Sequence, residues 1–242
     1  MRSQLIEFSK PPIEHLPLTL SPNLGIPQLS VDILRLDKIH PLVSGNKWYK
    51  LKYNLERAHE LGYQRLLSCG GPHSNHLHAL ASVGKALGFS TLAFVRGYAH
   101  LPLTETLRDC QKMGMEMIFV DKKTYLNRYE PIWCQQQAEL YNSYWIPEGG
   151  NNDLGIKGCA EIAQQCEGYD EVWISIGSGC TFTGLAQHLI NDFLNVGTTN
   201  TNPSKTVKMA SVKLKGVMAI KGGEALANSL LSDLGDQCSI KC

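Results

Sequence analysis

Three short stretches carry side chains whose types and spacing are suited to chemistry. The first, SGNKWYKL at 44–51, sets Lys47 directly after a Gly-Asn turn and at the head of a segment with helical spacing. A lysine amine forms a Schiff base with an aldehyde, and it becomes a competent nucleophile or base when desolvation or a neighbouring cation lowers its pKa. Most lysines at helix starts are solvated and do neither, so Lys47 alone carries little weight. The second stretch, GSGCTFTG at 177–184, follows a strand pattern and opens a helix. There Gly177 and Gly179 let backbone amides converge on an anion, Ser178 and Thr181 add hydroxyls, and the helix N-terminus adds favourable partial charge. That arrangement suits a phosphate. The Gly-Lys-Ser/Thr ending of a nucleotide-triphosphate loop is missing, and so is a GxSxG nucleophile elbow. The plainer alternative is a tight turn that needs glycine for packing alone.

The third stretch, SCGGPHSNHLHA at 68–79, again reads as strand, glycine turn and helix start. Ser74 or Asn75 is placed to cap that helix, or else to turn its side chain toward a ligand. His73, His76 and His78 raise the question of a metal, but the HExxH spacing of a zinc helix is absent, and the expected metal set is none. A reactive amine, a phosphate cradle and a polar loop together fit pyridoxal phosphate.

The elements that position these stretches read as alternating strands and helices. LSVDILRL at 29–36 alternates like a strand, and Trp48, Leu51, Leu55 and Ala58 recur at helical spacing before Gly62. Strand patterns follow at 65–68, 91–95 and 117–120, separated by helices at about 74–87 and 104–113, with a less regular region running to Tyr144. After the turn-rich PEGGNND come a helix near 157–166, a strand at 171–176, a helix at 181–193, an exposed loop at 196–205, a strand at 214–219 and a helix after Gly223. Such alternation predicts parallel sheets with helical crossovers. No internal repeat or low-complexity segment interrupts it.

Composition narrows the partners. Of 242 residues 43% are hydrophobic and 19% charged, the balance of a globular protein long enough for one large or two modest domains. Lysine and arginine (23) nearly cancel aspartate and glutamate (22), so no field draws in nucleic acid or anionic lipid. The N-terminal stretch lacks the apolar run of a secretory signal, and nothing approaches the roughly 18 apolar residues of a membrane span. The eight cysteines are scattered without a CxxC pair and are expected to be reduced, packed thiols of a cytoplasmic protein.

With these motifs in order over about 29–223, the chain resembles the pyridoxal-phosphate enzymes that comprise 1-aminocyclopropane-1-carboxylate deaminase and D-cysteine desulfhydrase, within the tryptophan synthase β-subunit fold type. The resemblance rests on SGNKWYKL, GGPHSNH, IPEGGNNDLGIKG and GSGCTFTG. It implies an α/β protein of two lobes, parallel-sheet three-layer domains of fold type II, with 48–144 as the smaller inserted lobe and 1–47 plus 145–242 as the larger. It places the family's Schiff-base lysine on Lys47, the asparagine that bonds the cofactor's ring oxygen on Asn75, and the serine that faces the substrate carboxylate or moves a proton on Ser74. The phosphate loop falls on Gly177, Ser178, Gly179, Cys180 and Thr181, with the Cys180 side chain a departure that a backbone cradle tolerates.

His76 after Asn75 resembles the desulfhydrase pattern, where deaminases tend to carry glutamine. The resemblance therefore implies D-cysteine desulfhydrase-like β-elimination to pyruvate, ammonia and sulfide. The alternatives are 1-aminocyclopropane-1-carboxylate deamination to 2-oxobutanoate and ammonia, or a catalytically impaired protein that binds pyridoxal phosphate. A small amino acid is the expected substrate and a second copy of the chain the expected partner. The family's C-terminal segment, which supplies the pyridine-nitrogen partner and part of the substrate pocket, has no recognisable counterpart in SDLGDQCSIKC. The chain reads as C-terminally shortened, with apolar surface left exposed.

Overall fold

The computed structural model describes residues 8–17, 30–43, 45–196, 212–219, 221–234 and 238–242. Two short strands, β1 (Ile13–Leu16) and β2 (Val31–Leu34), pair antiparallel, Ile13 opposite Leu34. The chain then enters α1 (Lys47–Glu60), which buries Leu51, Leu55 and Ala58 at helical spacing, together with Lys50 and Asn54.

A first parallel sheet follows. Its strands are β3 (Arg65–Gly70), β4 (Ser90–Arg96), β5 (Met115–Val120) and β6 (Tyr144–Trp145), ordered β5-β4-β3-β6. Between them run α2 (Asn75–Leu87), α3 (Glu105–Lys112), α4 (Lys122–Leu126) and α5 (Pro131–Leu140). Each of the first three is started by a short oxygen side chain. The hydroxyls of Ser74 and Thr104 and the Asp121 carboxylate accept from the backbone N–H of Leu77, Leu107 and Thr124. Gly88, in the left-handed region, closes α2. Alternate strand residues fill two layers of core. Leu66, Ala93 and Val95 pack with Leu77, Leu80 and Leu107 on one face, while Leu67, Cys69, Leu92 and Phe94 pack with Tyr125 on the other, near Trp133 and Trp145.

The second half contains α6 (Asp153–Ala160), β7 (Glu171–Ile176), α7 (Cys180–Val196), β8 (Lys213–Met218), α8 (Glu224–Leu234) and β9 (Cys238–Lys241). Its three strands form a parallel sheet ordered β7-β8-β9. Ile176, Leu214 and Cys238 face Phe182, Leu185 and the partly buried Leu230 on one side. On the other side Trp173 is 51% exposed and Val217 42% exposed, flanked by Lys215 and Lys241, whose ammonium groups lie 5.0 and 5.3 Å from the Trp173 ring. Among the described residues this sheet is covered on one face only, where parallel sheets are ordinarily covered on both.

Several expectations are revised. The region before Tyr144 holds two helices, and their apolar side chains do not form one stripe: Ile132 is 73% and Leu140 70% exposed. Helix α6 runs from Asp153 to Ala160, where the sequence pattern placed a helix near 157–166. A Cβ at Gly158 would lie 1.8 Å from the carbonyl oxygen of Tyr49, so glycine is what lets α6 cross α1 at backbone contact. Strands β1 and β9, four residues each, were not foreseen. The loop expected at 196–205 lies, from 197 onward, outside the described residues.

Candidate cofactor site

Lys47 is the first residue of α1, and the loop at 177–179 joins β7 to α7, whose first residues are Cys180 and Thr181. Asn46 connects them. Its Nδ2 donates to Thr181 Oγ1 at 2.7 Å, and its Oδ1 accepts from Lys47 Nζ at 2.8 Å. The loop turns through Gly179, whose φ of +83° is one that side-chain-bearing residues rarely adopt. Nothing lies within 4 Å of a Cβ placed on Gly177, so the backbone there is open to a ligand.

A second lysine reaches the same loop. Lys50 is 4% exposed, and its Nζ donates to Ser178 Oγ at 3.3 Å. Its position three residues after Lys47 puts both amines on one helix face. That spacing is visible in the sequence, yet Lys50 was not among the expected site residues. Cys180 donates its thiol to the Gly150 carbonyl at 3.6 Å, and Cys159, on α6, donates to Thr181 Oγ1 at 3.6 Å. The neighbouring Cys180 side chain favours ionisation of Cys159, and the same pairing, with burial, holds the proton on Cys180.

The turn before α6 completes this wall. Asn152 caps α6 through the Gly155 N–H at 2.9 Å and exchanges two hydrogen bonds with Asn54 of α1, at 2.8 and 3.1 Å. Glu148 is held by the Tyr125 hydroxyl and the Arg128 guanidinium, each at 2.6 Å. The loop therefore rests on α1, α6 and the 148–152 turn, all fastened to one another by polar side chains.

Burial, followed by the Lys50 charge, pushes the Lys47 amine down from 10.5 to about 8, against the opposing pull of Cys159 and Cys180. An amine with that pKa is neutral in a substantial fraction of molecules near pH 7.5, as a nucleophile requires.

The third expected stretch lies at the head of α2. Ser74 is half-buried and engaged as the cap, accepting from Leu77 N–H at 3.2 Å, while Asn75 is exposed. The three histidines do not converge: His73 is exposed, His78 half-buried, and His76 is buried against Ser68. Among the described residues no group of three histidine, cysteine or acidic side chains is arranged to hold a metal ion. An open depression of about 600 Å³ along β5 involves none of these residues, and its two charges, Arg65 and Glu116, pair with each other at 2.7 Å.

An amine of lowered pKa, beside an open glycine loop at a helix N-terminus with a buried ammonium on its hydroxyl, fits a ligand that carries both an aldehyde and a phosphate. The chain belongs to the family of pyridoxal-phosphate dependent enzymes, whose model matches residues 10–234. It is 32% identical to a Thermotoga maritima protein named as a 1-aminocyclopropane-1-carboxylate deaminase, a match covering 63% of this chain and 52% of that one. It is 29% identical to a D-cysteine desulfhydrase of Klebsiella pneumoniae, covering 90% of this chain and 68% of the relative. The chain thus spans about half the length of the first relative and two thirds of the second. In fold it is similar to the crystal structure of a homologue of 1-aminocyclopropane-1-carboxylate deaminase, with a TM-score of 0.69 at 22% identity, over 97% of this chain and 69% of that one. An O-ureido-L-serine synthase aligns with a TM-score of 0.65 at 15% identity, over 98% and 74% of the two chains. The fold is that of the α/β enzymes with parallel sheets, and the family cofactor is pyridoxal phosphate. No helix among the described residues is long and apolar enough to cross a membrane.

Proposed function

We propose that the chain is a pyridoxal-phosphate-dependent lyase acting on a small D-amino acid, with D-cysteine as the preferred substrate. The observation that carries the cofactor part of this reading is Asn46, which joins the Lys47 amine to Thr181 of the loop that suits a phosphate, at 2.8 and 2.7 Å; the preference for D-cysteine rests on the likeness of His76 after Asn75 to the desulfhydrase pattern. The bound cofactor supplies an electron sink for charge that develops at the substrate's α-carbon. Lys47 would hold the aldehyde, and its Nζ, when free, would take the proton from the substrate's α-carbon. The Ser178 and Thr181 hydroxyls, the backbone of Gly177, Gly179 and Cys180, and the Lys50 ammonium hold the phosphate. Asn75 orients the ring through its oxygen, and Ser74 gives up its capping bond to face the substrate carboxylate. Residues 48–144 form the smaller lobe, with 1–47 and 145–242 forming the larger.

Likeness to a relative named as a deaminase favours a second substrate, 1-aminocyclopropane-1-carboxylate, on the same residues. Incubating the protein and pyridoxal phosphate with each compound separates these readings. Pyruvate and sulfide from D-cysteine are expected. Production of 2-oxobutanoate alone would replace the desulfhydrase reading with the deaminase one. Bound cofactor without turnover of either compound would leave a binding protein and overturn the enzymatic proposal.

A further inference from the structure

Asn54 is fully buried in the middle of α1, a helix whose other buried residues include Leu51, Leu55 and Ala58, and an apolar side chain there would pack without a polar cost. Both polar atoms of its amide are used. Nδ2 donates to the Lys50 carbonyl at 2.9 Å and to Asn152 Oδ1 at 3.1 Å, and Oδ1 accepts from Asn152 Nδ2 at 2.8 Å. Asn152 Oδ1 also takes the Gly155 N–H at 2.9 Å, so the side chain that caps α6 grips α1 as well. A satisfied buried network of this kind fixes geometry as well as filling space. What it fixes here is the position of α1 against the 148–152 turn. A Cβ on Gly150 would lie 2.9 Å from Lys50 Cβ, so the turn touches the helix at Lys50, four residues before Asn54. The turn's other side meets the glycine loop: the Gly150 carbonyl accepts from the Cys180 thiol at 3.6 Å, and a Cβ on Gly149 would lie 3.7 Å from Ser178 Oγ. The turn is thus a spacer between α1 and the loop, and Lys50 reaches past it to Ser178 Oγ at 3.3 Å. Lys50 is 4% exposed, and among the described residues no carboxylate pairs with it, which leaves a buried cation in need of an anion.

We propose that Asn54 is a positioning residue: clasped to Asn152, it sets α1 against the 148–152 turn so that the Lys50 ammonium stands at the loop where a phosphate binds. The inference rests on the proposed function, in which Lys50 and the loop hold the cofactor's phosphate. Lys47 is placed separately, at the start of the helix, through Asn46 and Thr181. Cutting the clasp between Asn54 and Asn152 therefore weakens the grip on a phosphate and spares the grip on an aldehyde.

The test is a visible-absorbance titration of the cofactor-free, full-length protein with pyridoxal phosphate and, separately, with pyridoxal, which has the same ring and aldehyde but no phosphate. The ratio of the two dissociation constants isolates what the phosphate contributes. In Asn54→Ala this preference for the phosphorylated compound should fall about tenfold, with pyridoxal affinity kept within about twofold. In Lys50→Met, which removes the ammonium, the preference should fall at least as far, and adding Asn54→Ala to that variant should change it no further. A role confined to stability would weaken both ligands together and leave the preference unchanged, and that result in a folded Asn54→Ala protein overturns the proposal. An equal further fall in the Lys50→Met background also overturns it. Should Asn54→Ala not fold, Asn152→Ser decides by the same ratio, because serine retains the α6 cap and is too short to reach Asn54. If Lys50→Met keeps the parent preference, the proposed role of Lys50 in holding the phosphate fails. If Lys50→Met lowers the preference while Asn54→Ala does not, only this inference fails.

Discussion

Lys47 combines two demands that oppose each other. Partial burial beside Lys50 makes its amine reactive, and the same burial makes its protonated form unwelcome in the folded chain. The folded pKa, about 8, lies below the unfolded value of 10.5, so between these values the unfolded chain binds more protons. Stability of the cofactor-free protein therefore rises as pH climbs through that window, and the full penalty remains below about pH 8. Replacing Lys47 with methionine, which keeps the stem and drops the charge, should stabilise the cofactor-free protein at pH 7 by about 2 kcal/mol, with the gain shrinking toward pH 10. Urea unfolding at the two pH values measures this, and a variant no more stable than the parent at pH 7 would contradict it. Lys47 and the glycine loop could be proposed from the sequence because a Gly-Asn-Lys turn, a glycine-rich strand-to-helix turn and a polar loop occur together in one chain. Lys50 was not, because a lysine is solvated by default and its burial against Ser178 arises from the crossing of α1 with the 148–152 turn. Asn46 was hidden for a similar reason: its partner lies 135 positions away in the sequence.

At the scale of elements, the site depends on how closely α6 approaches α1. Gly158 permits backbone contact with Tyr49, and an ion pair from Lys52 to Glu161, with the Tyr53 hydroxyl on the same carboxylate, fastens α1 to the turn after α6. Gly158→Val must push the helices apart. It should cost at least about 2 kcal/mol in denaturant unfolding and weaken cofactor binding by displacing Lys47 and Lys50 from the loop. Unchanged stability and affinity would show that the close crossing is dispensable. The same contact explains a failure of pattern reading. Glycines inside α6 look like breakers to any local rule, although here they serve packing across more than 100 residues of chain. Strands β3, β4 and β7 were readable from their compact apolar runs. Helices α4 and α5 were not, because their apolar residues are divided between the core and water.

At the scale of the whole molecule, two parallel sheets with separate apolar cores meet at α1, whose Leu51 and Leu55 pack with the first core while Tyr49 packs against the second. Alternating strands and helices revealed the fold class, but strand order, and the sheet face bearing Trp173 that is left open among the described residues, depend on long-range pairing that no local pattern encodes. Lys47 stands at the start of the helix shared by both cores, next to the loop of the second. The central claim is that this one amine, out of all the lysines in the chain, bonds the cofactor's aldehyde. The most direct measurement is to saturate the protein with pyridoxal phosphate, reduce it with borohydride and map the modified peptide. A single pyridoxyl group on Lys47, lost in Lys47→Ala, is the predicted result. Modification of Lys50 instead, or no modification at saturating cofactor, would contradict the account.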